Sequence, residues 1–414
     1  MTHWYTPSQA LHANFGEPVQ SVGLVALLAP HHPHLMPGFF AHDDLSPNLI
    51  EQARLARLTA DGYLDLTSSN PTTQGLVFPP DILAQAAADY WPTRRYAPDA
   101  HGDPAARAAI QRYYAARTPP LALAVDDIFL TASTSEAYSL LFALLCDPGD
   151  NVLAPAVTYP LFEYLAALHH VELRPYAMDE ERGWQINEPS LLGAADARTR
   201  AVLLVSPHNP TGMIIGQPMA ALDTLGLPVI CDEVFAPFCF GATHTPPLGA
   251  LQPTLPVFHL NGISKLFALP DLKLGWIALS GPARQWAARL ALLNDTFLSG
   301  NSLTQAMLPT LFAAGLSFTQ TLHARVNANL HWALAYLADH RYLRAAPPDG
   351  GYYLFPHVLG WRDEEALVLH LLDQGVLTHP GFFYGDVPGV HLMLSALTTP
   401  EVWQRGLVIV ANNC

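Results

Sequence analysis

Three polar side chains, an amide, a carboxylate and an amine, each follow a separate short apolar run of this chain. They are Asn209 after residues 201–205, Asp232 after 227–230 and Lys265 after 257–260. A lysine amine can form a Schiff base with an aldehyde, and a carboxylate can pair with a protonated pyridine nitrogen. An amide can donate a hydrogen bond to a phenolic oxygen. These three groups are what an enzyme needs to hold and use pyridoxal phosphate.

Each of the three residues also has an ordinary structural explanation. Taken alone, Lys265 would be interpreted as a surface lysine in a loop, and Asp232 as a helix cap at the end of a strand. Asn209 would be interpreted as the turn-forming residue of an Asn-Pro pair. Together they favour cofactor chemistry, because a lone carboxylate after four apolar residues costs free energy unless it is paired. Lys265 would then be both anchor and base, and its pKa must fall below the ordinary ~10.4 through burial and neighbouring cations.

A hydroxyl-rich segment, Thr131-Ala-Ser-Thr-Ser-Glu136, joins a predicted strand to a predicted helix. The first turn of a helix exposes backbone N–H groups and the positive end of the helix dipole, and both favour a phosphate. We therefore predict a phosphate cradle that includes the hydroxyls of Ser133, Thr134 and Ser135. The alternative is an ordinary N-cap with Glu136 as its capping partner.

Apolar strands alternate with helical patterns between about residues 80 and 300. This alternation predicts an α/β fold, with a large domain whose mostly parallel sheet lies between helices. The predicted strands are 128–131, 151–154, 201–205, 227–230, 257–260 and 274–280, and a helix over 135–146 follows the first of them.

The C-terminal part predicts a smaller α+β domain. Its predicted strands are 352–355, 376–378 and 391–395, and its predicted helical stretches are 303–340, 364–374 and 400–411. We expect an N-terminal arm, with a helix over about 45–61, to pack on this small domain. The predicted division is 1–60 for the arm and helix, 61–305 for the large cofactor-binding domain and 306–414 for the small domain.

The chain is acidic and apolar, with a formal net charge of −15, 50% hydrophobic residues and 13% charged residues. Its charge argues against nucleic acid or an anionic membrane as a partner. The longest early apolar run, 22–29, is too short to span a bilayer. The four cysteines have neither metal-site spacing nor a disulfide framework, which predicts a cytoplasmic protein. His31, His32 and His34 lie in a proline-broken loop, so we predict no metal site.

Four motifs in this order resemble the class I and II aminotransferases of pyridoxal-phosphate fold type I. They are Tyr96-Ala-Pro with Arg107, Ser206-Pro-His-Asn-Pro-Thr-Gly212, Cys231-Asp-Glu-Val-Phe235, and Ser264-Lys265 with Lys273-Leu-Gly275, within a resemblance over about 64–401. The resemblance implies a homodimeric enzyme that moves an amino group between a small-molecule amino donor and an oxo acid. Its cofactor would be pyridoxal 5'-phosphate, with Lys265 and Asp232 as catalytic residues.

The resemblance also implies which side chains contact the cofactor. These are Tyr96, Ser133, Thr134, Ser135, Tyr159, Asn209, Asp232, Phe235, Ser264, Lys265 and Lys273. Tyr159 stands at the position of an aromatic stacked on the pyridine ring, and Tyr96 at that of a tyrosine reaching the partner subunit's phosphate. Core packing is the alternative for both tyrosines. Lys273 stands where the family usually has an arginine, and a lysine cannot grip a phosphate in bidentate fashion.

Some positions depart from the family pattern near the cofactor. Phe235 replaces a tyrosine that would donate to the phenolic oxygen, and Gly262 replaces a phosphate-binding serine. Ser69 stands where a glycine often lies near the substrate carboxylate. Each of these changes alters the polar contacts of the cofactor or the substrate.

The predicted strand 391–395 contains no arginine, although the family usually clamps the substrate carboxylate there with a bidentate fork. Met393 or Leu392 takes that place, and Arg405 lies further along the terminal helix. Because of this departure, a lyase, cyclase or decarboxylase acting on an amino acid stays open beside the aminotransferase. A non-catalytic pyridoxal-phosphate sensor or scaffold is disfavoured, since Lys265 and its two partners are all present.

Overall fold

The computed structural model describes residues 46–60, 62–298 and 300–414. Its α-helices are α1 (Leu49–Thr59), α2 (Pro80–Tyr90), α3 (Pro104–Ala115), α4 (Thr134–Leu145), α5 (Leu161–Ala167), α6 (Glu188–Ala194), α7 (Ala220–Leu225), α8 (Leu248–Leu251), α9 (Ile263–Leu266), α10 (Ala287–Thr296), α11 (Ser302–Ala314), α12 (Leu316–Leu337), α13 (Glu364–Asp373) and α14 (Pro400–Asn413). Its strands are β1 (Leu64–Asp65), β2 (Ile128–Thr131), β3 (Asn151–Pro155), β4 (Glu172–Tyr176), β5 (Met178–Asp179), β6 (Gln185–Ile186), β7 (Thr199–Val205), β8 (Val229–Asp232), β9 (Val257–Gly262), β10 (Gly275–Ser280), β11 (Leu343–Arg344), β12 (Tyr353–Leu354), β13 (His357–Val358), β14 (Val376–Leu377), β15 (His379–Pro380) and β16 (Leu392–Ser395).

A seven-stranded sheet, with strand order β2-β10-β9-β8-β7-β3-β4, forms the centre of the larger part of the described chain. Strands β4, β3, β7, β8 and β9 run parallel, whereas β10 is antiparallel to both of its neighbours. Successive side chains of a strand point to opposite faces. Leu203 and Ile230 accordingly pack with α4 and α10 on one face, and Leu204 and Cys231 belong to the core on the other. This confirms the predicted α/β fold.

The edge strand β4 was not predicted from the sequence. Its five residues, Glu-Leu-Arg-Pro-Tyr, include two charges and a proline, and they lack the apolar run of the inner strands. Proline and charge are tolerated at a sheet edge, where one side of the backbone has no pairing strand. Only β3 pairs with β4 among the described strands.

The C-terminal part contains smaller sheets. Strand β16 lies between β12 and β15 and is antiparallel to both. The helical stretch predicted over 303–340 is divided into α11 and α12 at Gly315. A Cβ at Gly315 would lie 2.5 Å from the Leu311 carbonyl oxygen and 2.9 Å from the Phe78 ring, so this break brings the chain close to Phe78.

The first described helix, α1, begins after Asn48, whose side-chain oxygen accepts a hydrogen bond from the Glu51 N–H at 2.8 Å. Helix α1 contacts α13, and β1 pairs in parallel with β14. The predicted N-terminal arm, with His31, His32 and His34, lies outside the described residues, and the three-part division of the chain stays a prediction. None of the described helices combines the length and apolarity needed to cross a bilayer.

Candidate active site

The three residues singled out by their spacing lie at one edge of the central sheet. Strands β7, β8 and β9 run parallel, so their carboxyl ends meet there. Asp232 is the last residue of β8, Lys265 lies in α9 directly after β9, and Asn209 lies in the loop after β7. All three line one cavity of about 520 Å³. Ligands of open α/β sheets bind at this edge.

Asp232 is buried at this edge with two hydrogen-bond donors. Its Oδ2 accepts from the Tyr138 hydroxyl at 2.9 Å, and its Oδ1 accepts from the Val234 N–H at 3.0 Å. Burial nevertheless raises the pKa of the Asp232 carboxyl to about 6, against these two hydrogen bonds. The hydrogen bonds therefore do not fully offset the cost of burying the ionised carboxylate. A cation in the cavity would stabilise this charge further.

Lys265 faces the same cavity with its amine close to an aromatic ring. Its Nζ lies 5.9 Å from the centroid of the Phe235 ring. Burial lowers the pKa of the Lys265 ammonium, and the negative charge of Asp232 opposes that effect. The expected lowering of the lysine pKa is thus present. Its cause is burial, without the neighbouring cations that the sequence analysis also invoked.

Asn209 supplies a buried amide with unused hydrogen-bonding capacity. Its Oδ1 has no hydrogen-bond partner among the described residues, although the residue is only 9% exposed. A buried polar atom without a partner costs free energy comparable to a lost hydrogen bond. Rotation of the amide by 180° exchanges its oxygen and nitrogen, so either an acceptor or a donor can face a ligand. Asn209 is therefore suited to bind one.

The predicted phosphate cradle lies at the start of α4. Strand β2 runs in the same direction as β9, because both are antiparallel to β10, so α4 begins at the same sheet edge. Thr134 and Ser135 line the cavity. Ser133 does not, and its hydroxyl accepts from the Glu136 N–H at 3.2 Å as the N-cap. The alternative of an N-cap thus holds for Ser133, while Thr134 and Ser135, the other two predicted residues, line the cavity.

Gly275 allows β10 to approach the first turn of α4. A Cβ at Gly275 would lie 2.7 Å from the Ser133 carbonyl carbon and 2.8 Å from the Thr134 nitrogen. We expect Gly275→Ala to displace this turn at a cost of about 1–3 kcal/mol, weakening pyridoxal phosphate binding by about 5- to 150-fold. Fluorescence titration of the cofactor-free protein measures this loss.

Two comparisons make the Gly275 experiment specific to the phosphate end of the cavity. Pyridoxal, which lacks the phosphate, should lose much less affinity than pyridoxal phosphate in the same variant. Gly216→Ala is the matched control, since a Cβ at Gly216 meets nothing within 4 Å. Equal losses for both ligands would contradict the assignment of the α4 terminus to the phosphate.

The other predicted cofactor residues fall into two groups. Tyr159, Phe235 and Ser264 line the cavity. Lys273 is exposed, with φ 49°, and lies outside the cavity lining. Tyr96 is 75% exposed and also lies outside it. The structure therefore gives Lys273 and Tyr96 no contact with the cavity of the described chain, and their roles stay predictions.

Gly262 stands at the end of β9 where the family pattern has a serine. A Cβ at this position would lie 2.8 Å from the Leu274 carbonyl oxygen and 3.2 Å from the Gly275 Cα. The backbone of β10 therefore fills the space that a side chain would need. This close approach explains the glycine, because β9 and β10 pair directly through Gly262 and Gly275.

Sequence reasoning missed several residues of the cavity. Tyr138, which donates to Asp232, lies four residues after Thr134 on α4, and that helical spacing could have placed it on the same face. Tyr353, His379 and Tyr384 come from the C-terminal part and also line the cavity. Their contribution follows from packing between distant segments, which the local sequence pattern does not encode.

The end of the cavity formed by the C-terminal part has little positive charge. Lys265 is the one lysine or arginine among the described lining residues, and Met393 lines the wall contributed by β16. His379 is the register partner of Met393 in the β15–β16 pair. Burial lowers the pKa of His379 to about 3, so its imidazole is neutral at physiological pH.

The cavity fits pyridoxal phosphate in several independent respects. Its volume, about 520 Å³, is within the usual range for small-molecule sites. The first turn of α4 suits the phosphate, the amide of Asn209, whose Oδ1 has no partner, suits the ring oxygen, and a cation such as a protonated ring nitrogen would stabilise the ionised form of the buried Asp232. Lys265 adds the amine that an aldehyde needs.

Comparison with known proteins gives a consistent result. A family model described as aminotransferase class I and II matches residues 61–405. The chain is 33% identical over 204 residues to nicotianamine aminotransferase 1 of Oryza sativa subsp. japonica, covering 48% of this chain and 41% of that protein. It is 33% identical over 192 residues to S-alkyl-thiohydroximate lyase SUR1 of Arabidopsis thaliana, covering 45% and 41%. The matched segments thus span less than half the length of these two relatives.

A solved structure shares the fold over most of its length. An alanine aminotransferase from Pyrococcus furiosus superimposes with a TM-score of 0.79 at 23% sequence identity, covering 87% of this chain and 94% of that one. At this level of identity the likeness concerns the architecture of the chain.

Proposed function

This chain belongs to the class I and II aminotransferase family, and we propose that it is a pyridoxal-phosphate-dependent aminotransferase. It would move an amino group between an amino acid or amine and an oxo acid. The observation that carries this proposal is the meeting of Lys265, Asp232 and Asn209 in one cavity at the carboxyl ends of three neighbouring strands. The family relationship supports the same reaction.

Different cavity residues would hold the cofactor and transfer the proton. Pyridoxal phosphate, when bound, supplies an aldehyde for an amine and a ring that withdraws electrons from the substrate Cα. The Thr134–Ser135 turn would hold its phosphate, and Asp232 its ring nitrogen. Neutral Lys265 would take a proton from the substrate Cα and, as the ammonium, would donate it to the carbon that the cofactor aldehyde supplies. Burial favours that neutral form by lowering the lysine pKa.

The substrate end of the cavity supports recognition without a cationic clamp. Met393 occupies the β16 wall, and the neutral His379 lies beside it. We therefore propose that an α-carboxylate contributes little to binding of the amino donor. The wild-type protein should then discriminate weakly between an α-amino acid and the amine that lacks its carboxyl group.

Met393→Arg tests this view of the substrate end. A new charged hydrogen bond is worth about 1.5–3 kcal/mol, so we expect kcat/KM for α-amino acids, relative to the matching amines, to rise by about 10- to 150-fold. Steady-state kinetics on matched pairs measure the ratio, and Met393→Leu serves as the neutral control. A ratio that stays unchanged in Met393→Arg, with the cofactor still bound, would contradict the proposal.

A lyase that acts on an amino acid is the second candidate, because one relative has the name of a lyase. Incubation of the cofactor-loaded protein with single amino acids and amines separates the two reactions. An aminotransferase yields pyridoxamine phosphate and one oxo product per chain, and it turns over only when an oxo acid is added. Release of ammonia, sulfide or carbon dioxide, with the cofactor unchanged, would favour a lyase or a decarboxylase instead.

We also propose a homodimer that works in the cytoplasm. Exposed apolar side chains support the dimer: Tyr96, Phe297 and Leu298 are 75%, 64% and 60% exposed. Tyr96 would reach the partner subunit's cavity. The four cysteines are free, which suits a reducing compartment. Sedimentation velocity of the cofactor-loaded protein measures the oligomeric state, and a monomer at micromolar concentration would exclude this role of Tyr96.

A further inference from the structure

Two histidines and a glutamate from three separate segments meet outside the candidate active site. Glu180 lies in the turn between β5 and β6, His357 begins β13, and His391 directly precedes β16. One ligand atom from each lies within 4.8 Å of the others. The Glu180 Oε1 is 3.2 Å from the His391 Nε2 and 3.5 Å from the His357 Nδ1. We refer to these three residues as the Glu–His–His cluster.

The spacing within the cluster suits a shared metal ion as well as direct hydrogen bonds, one of which joins His391 to Glu180. Charge-assisted N–H···O hydrogen bonds are usually about 2.7–2.9 Å long. Zinc bonds to histidine nitrogen and carboxylate oxygen are about 2.0–2.2 Å, so neighbouring ligand atoms of a tetrahedral site lie about 3.3–3.5 Å apart. The two separations, 3.2 and 3.5 Å, lie close to that second range, and the shorter one is also the length of an N–H···O hydrogen bond.

His391 is held in a fixed orientation. Its side chain is fully buried and stacks on the Phe355 ring at 5.0 Å with an interplanar angle of 13°. The Trp184 ring makes a T-shaped contact with it at a centroid distance of 5.7 Å. Its main-chain N–H donates to the Glu364 carboxylate at 2.7 Å. A ligand whose ring cannot rotate loses little entropy when it binds a metal ion.

The other two residues give the cluster access to solvent. The side chains of His357 and Glu180 are 28% and 34% exposed. Gly389 packs beside His357, where a Cβ would lie 2.7 Å from the His357 Nε2, so a side chain at position 389 would displace the ring. Arg344, the register partner of His357, carries a nearby positive charge. We therefore expect weaker binding than at the same ligands without that arginine.

We propose that Glu180, His357 and His391 bind a divalent transition-metal ion of the zinc type, with the remaining coordination position open to water. Carboxylate and imidazole are ligands that zinc accepts, and three protein ligands with one open position form a recurrent zinc arrangement. No sequence spacing indicates the site, because the three residues come from widely separated segments.

A bound ion would connect the site to the active-site wall. It would tie the β5–β6 hairpin to β13 and to the start of β16. Met393, which lines the cavity, lies two residues beyond His391 on that strand. The metal would thus act as a tether that restrains the wall of the substrate end, whatever reaction the cavity performs.

The test compares zinc binding by the cofactor-loaded wild type with that of Glu180→Gln and His357→Gln. Both changed side chains are partly exposed, and retained cofactor absorbance and circular dichroism establish folding. Loss of a residue that only orients a ligand costs about 10–100-fold in metal affinity, so loss of a ligand should cost at least about 100-fold. Calorimetry and metal analysis after gel filtration measure affinity and stoichiometry.

We expect the wild type to hold one more zinc ion per chain than either variant, and its Tm to rise by about 1 °C per kcal/mol of binding free energy. His331→Gln is the control, since His331 is exposed and its ring contacts the Asn327 carbonyl within its own helix. It should bind zinc as the wild type does. Identical stoichiometry and affinity in the wild type and both cluster variants would overturn the proposal.

Discussion

Lys265→Ala is expected to eliminate turnover, with a loss of at least about 10⁴-fold, the upper end of what a single general acid–base group contributes. The residue is also expected to anchor the cofactor, so the loss combines two effects. Alanine removes the amine without adding volume to the cavity. The remaining contacts, from the α4 turn, Asn209 and Asp232, should still bind pyridoxal phosphate reversibly.

The covalent anchor can be measured independently of activity. Borohydride reduction of the loaded wild type should leave the cofactor on a peptide that contains Lys265, whereas Lys265→Ala should release it on denaturation. The chain has two lysines, Lys265 and Lys273, so peptide mass spectrometry can assign the label without ambiguity. Lys273→Ala is the matched control and should retain the label. Labelling of Lys273 in the wild type would refute the assignment.

The position of the site could be predicted because strand ends of a parallel sheet meet at one edge. Asn209, Asp232 and Lys265 each follow an apolar run, and this is a local feature that the sequence displays directly. The start of α4 could be predicted for the same reason. These residues need no information about distant packing to be placed together.

The substrate end could not be predicted in the same way. Tyr353, His379 and Met393 reach the cavity because the C-terminal sheet packs across the strand ends, and no periodicity of the sequence encodes that contact. The predicted strand 391–395 was close to β16, yet which of Leu392 and Met393 faces the cavity depends on the register with β15. The structure selects Met393.

Close backbone approaches form a second class of feature that the sequence alone does not reveal. The sequence shows Gly262 as the replacement of a serine and Gly275 as the end of a motif, but the structure shows that neither position has space for a Cβ. Ser133 shows the reverse case, since its hydroxyl type suggested a phosphate ligand and its backbone position makes it a helix cap. Residue type limits the possible roles of a position, and tertiary packing selects among them.

Asp232→Asn is expected to slow turnover by about 10²–10⁴-fold. Loss of one partner of a buried charge pair costs about 3–5 kcal/mol, and each ~1.36 kcal/mol corresponds to a tenfold change in rate. Asparagine has nearly the same shape but cannot balance the charge of a protonated ring nitrogen. Single-turnover kinetics with the cofactor-loaded variant measure the effect. Turnover close to that of the wild type would exclude Asp232 as the partner of the ring nitrogen.

In the absence of the cofactor, the Asp232→Asn substitution should raise the stability of the protein, although it lowers turnover. Folding raises the pKa of the Asp232 carboxyl from 3.8 to about 6, so the folded state holds this proton more tightly than the unfolded chain. The resulting penalty is absent below pH ~4, grows as the pH rises, and reaches about 3 kcal/mol above pH ~6. Asparagine removes that penalty, although it loses one of the two acceptor oxygens that receive hydrogen bonds from Tyr138 and Val234.

The cofactor-free variant should therefore have a higher Tm than the wild type at pH ~8 and no advantage at pH ~4, whereas pyridoxal phosphate should reverse the order at pH ~8. Thermal unfolding of both proteins at both pH values, with and without the cofactor, tests whether the order of their Tm values reverses. Tyr138→Phe is the companion variant, because it removes one hydrogen bond to Asp232 and keeps the carboxylate. Its turnover should fall only about tenfold, since a hydrogen bond to a charged group contributes about 1.5 kcal/mol or somewhat more. An Asp232→Asn protein that is less stable than the wild type in all four conditions would show that the carboxylate serves the fold rather than the cofactor.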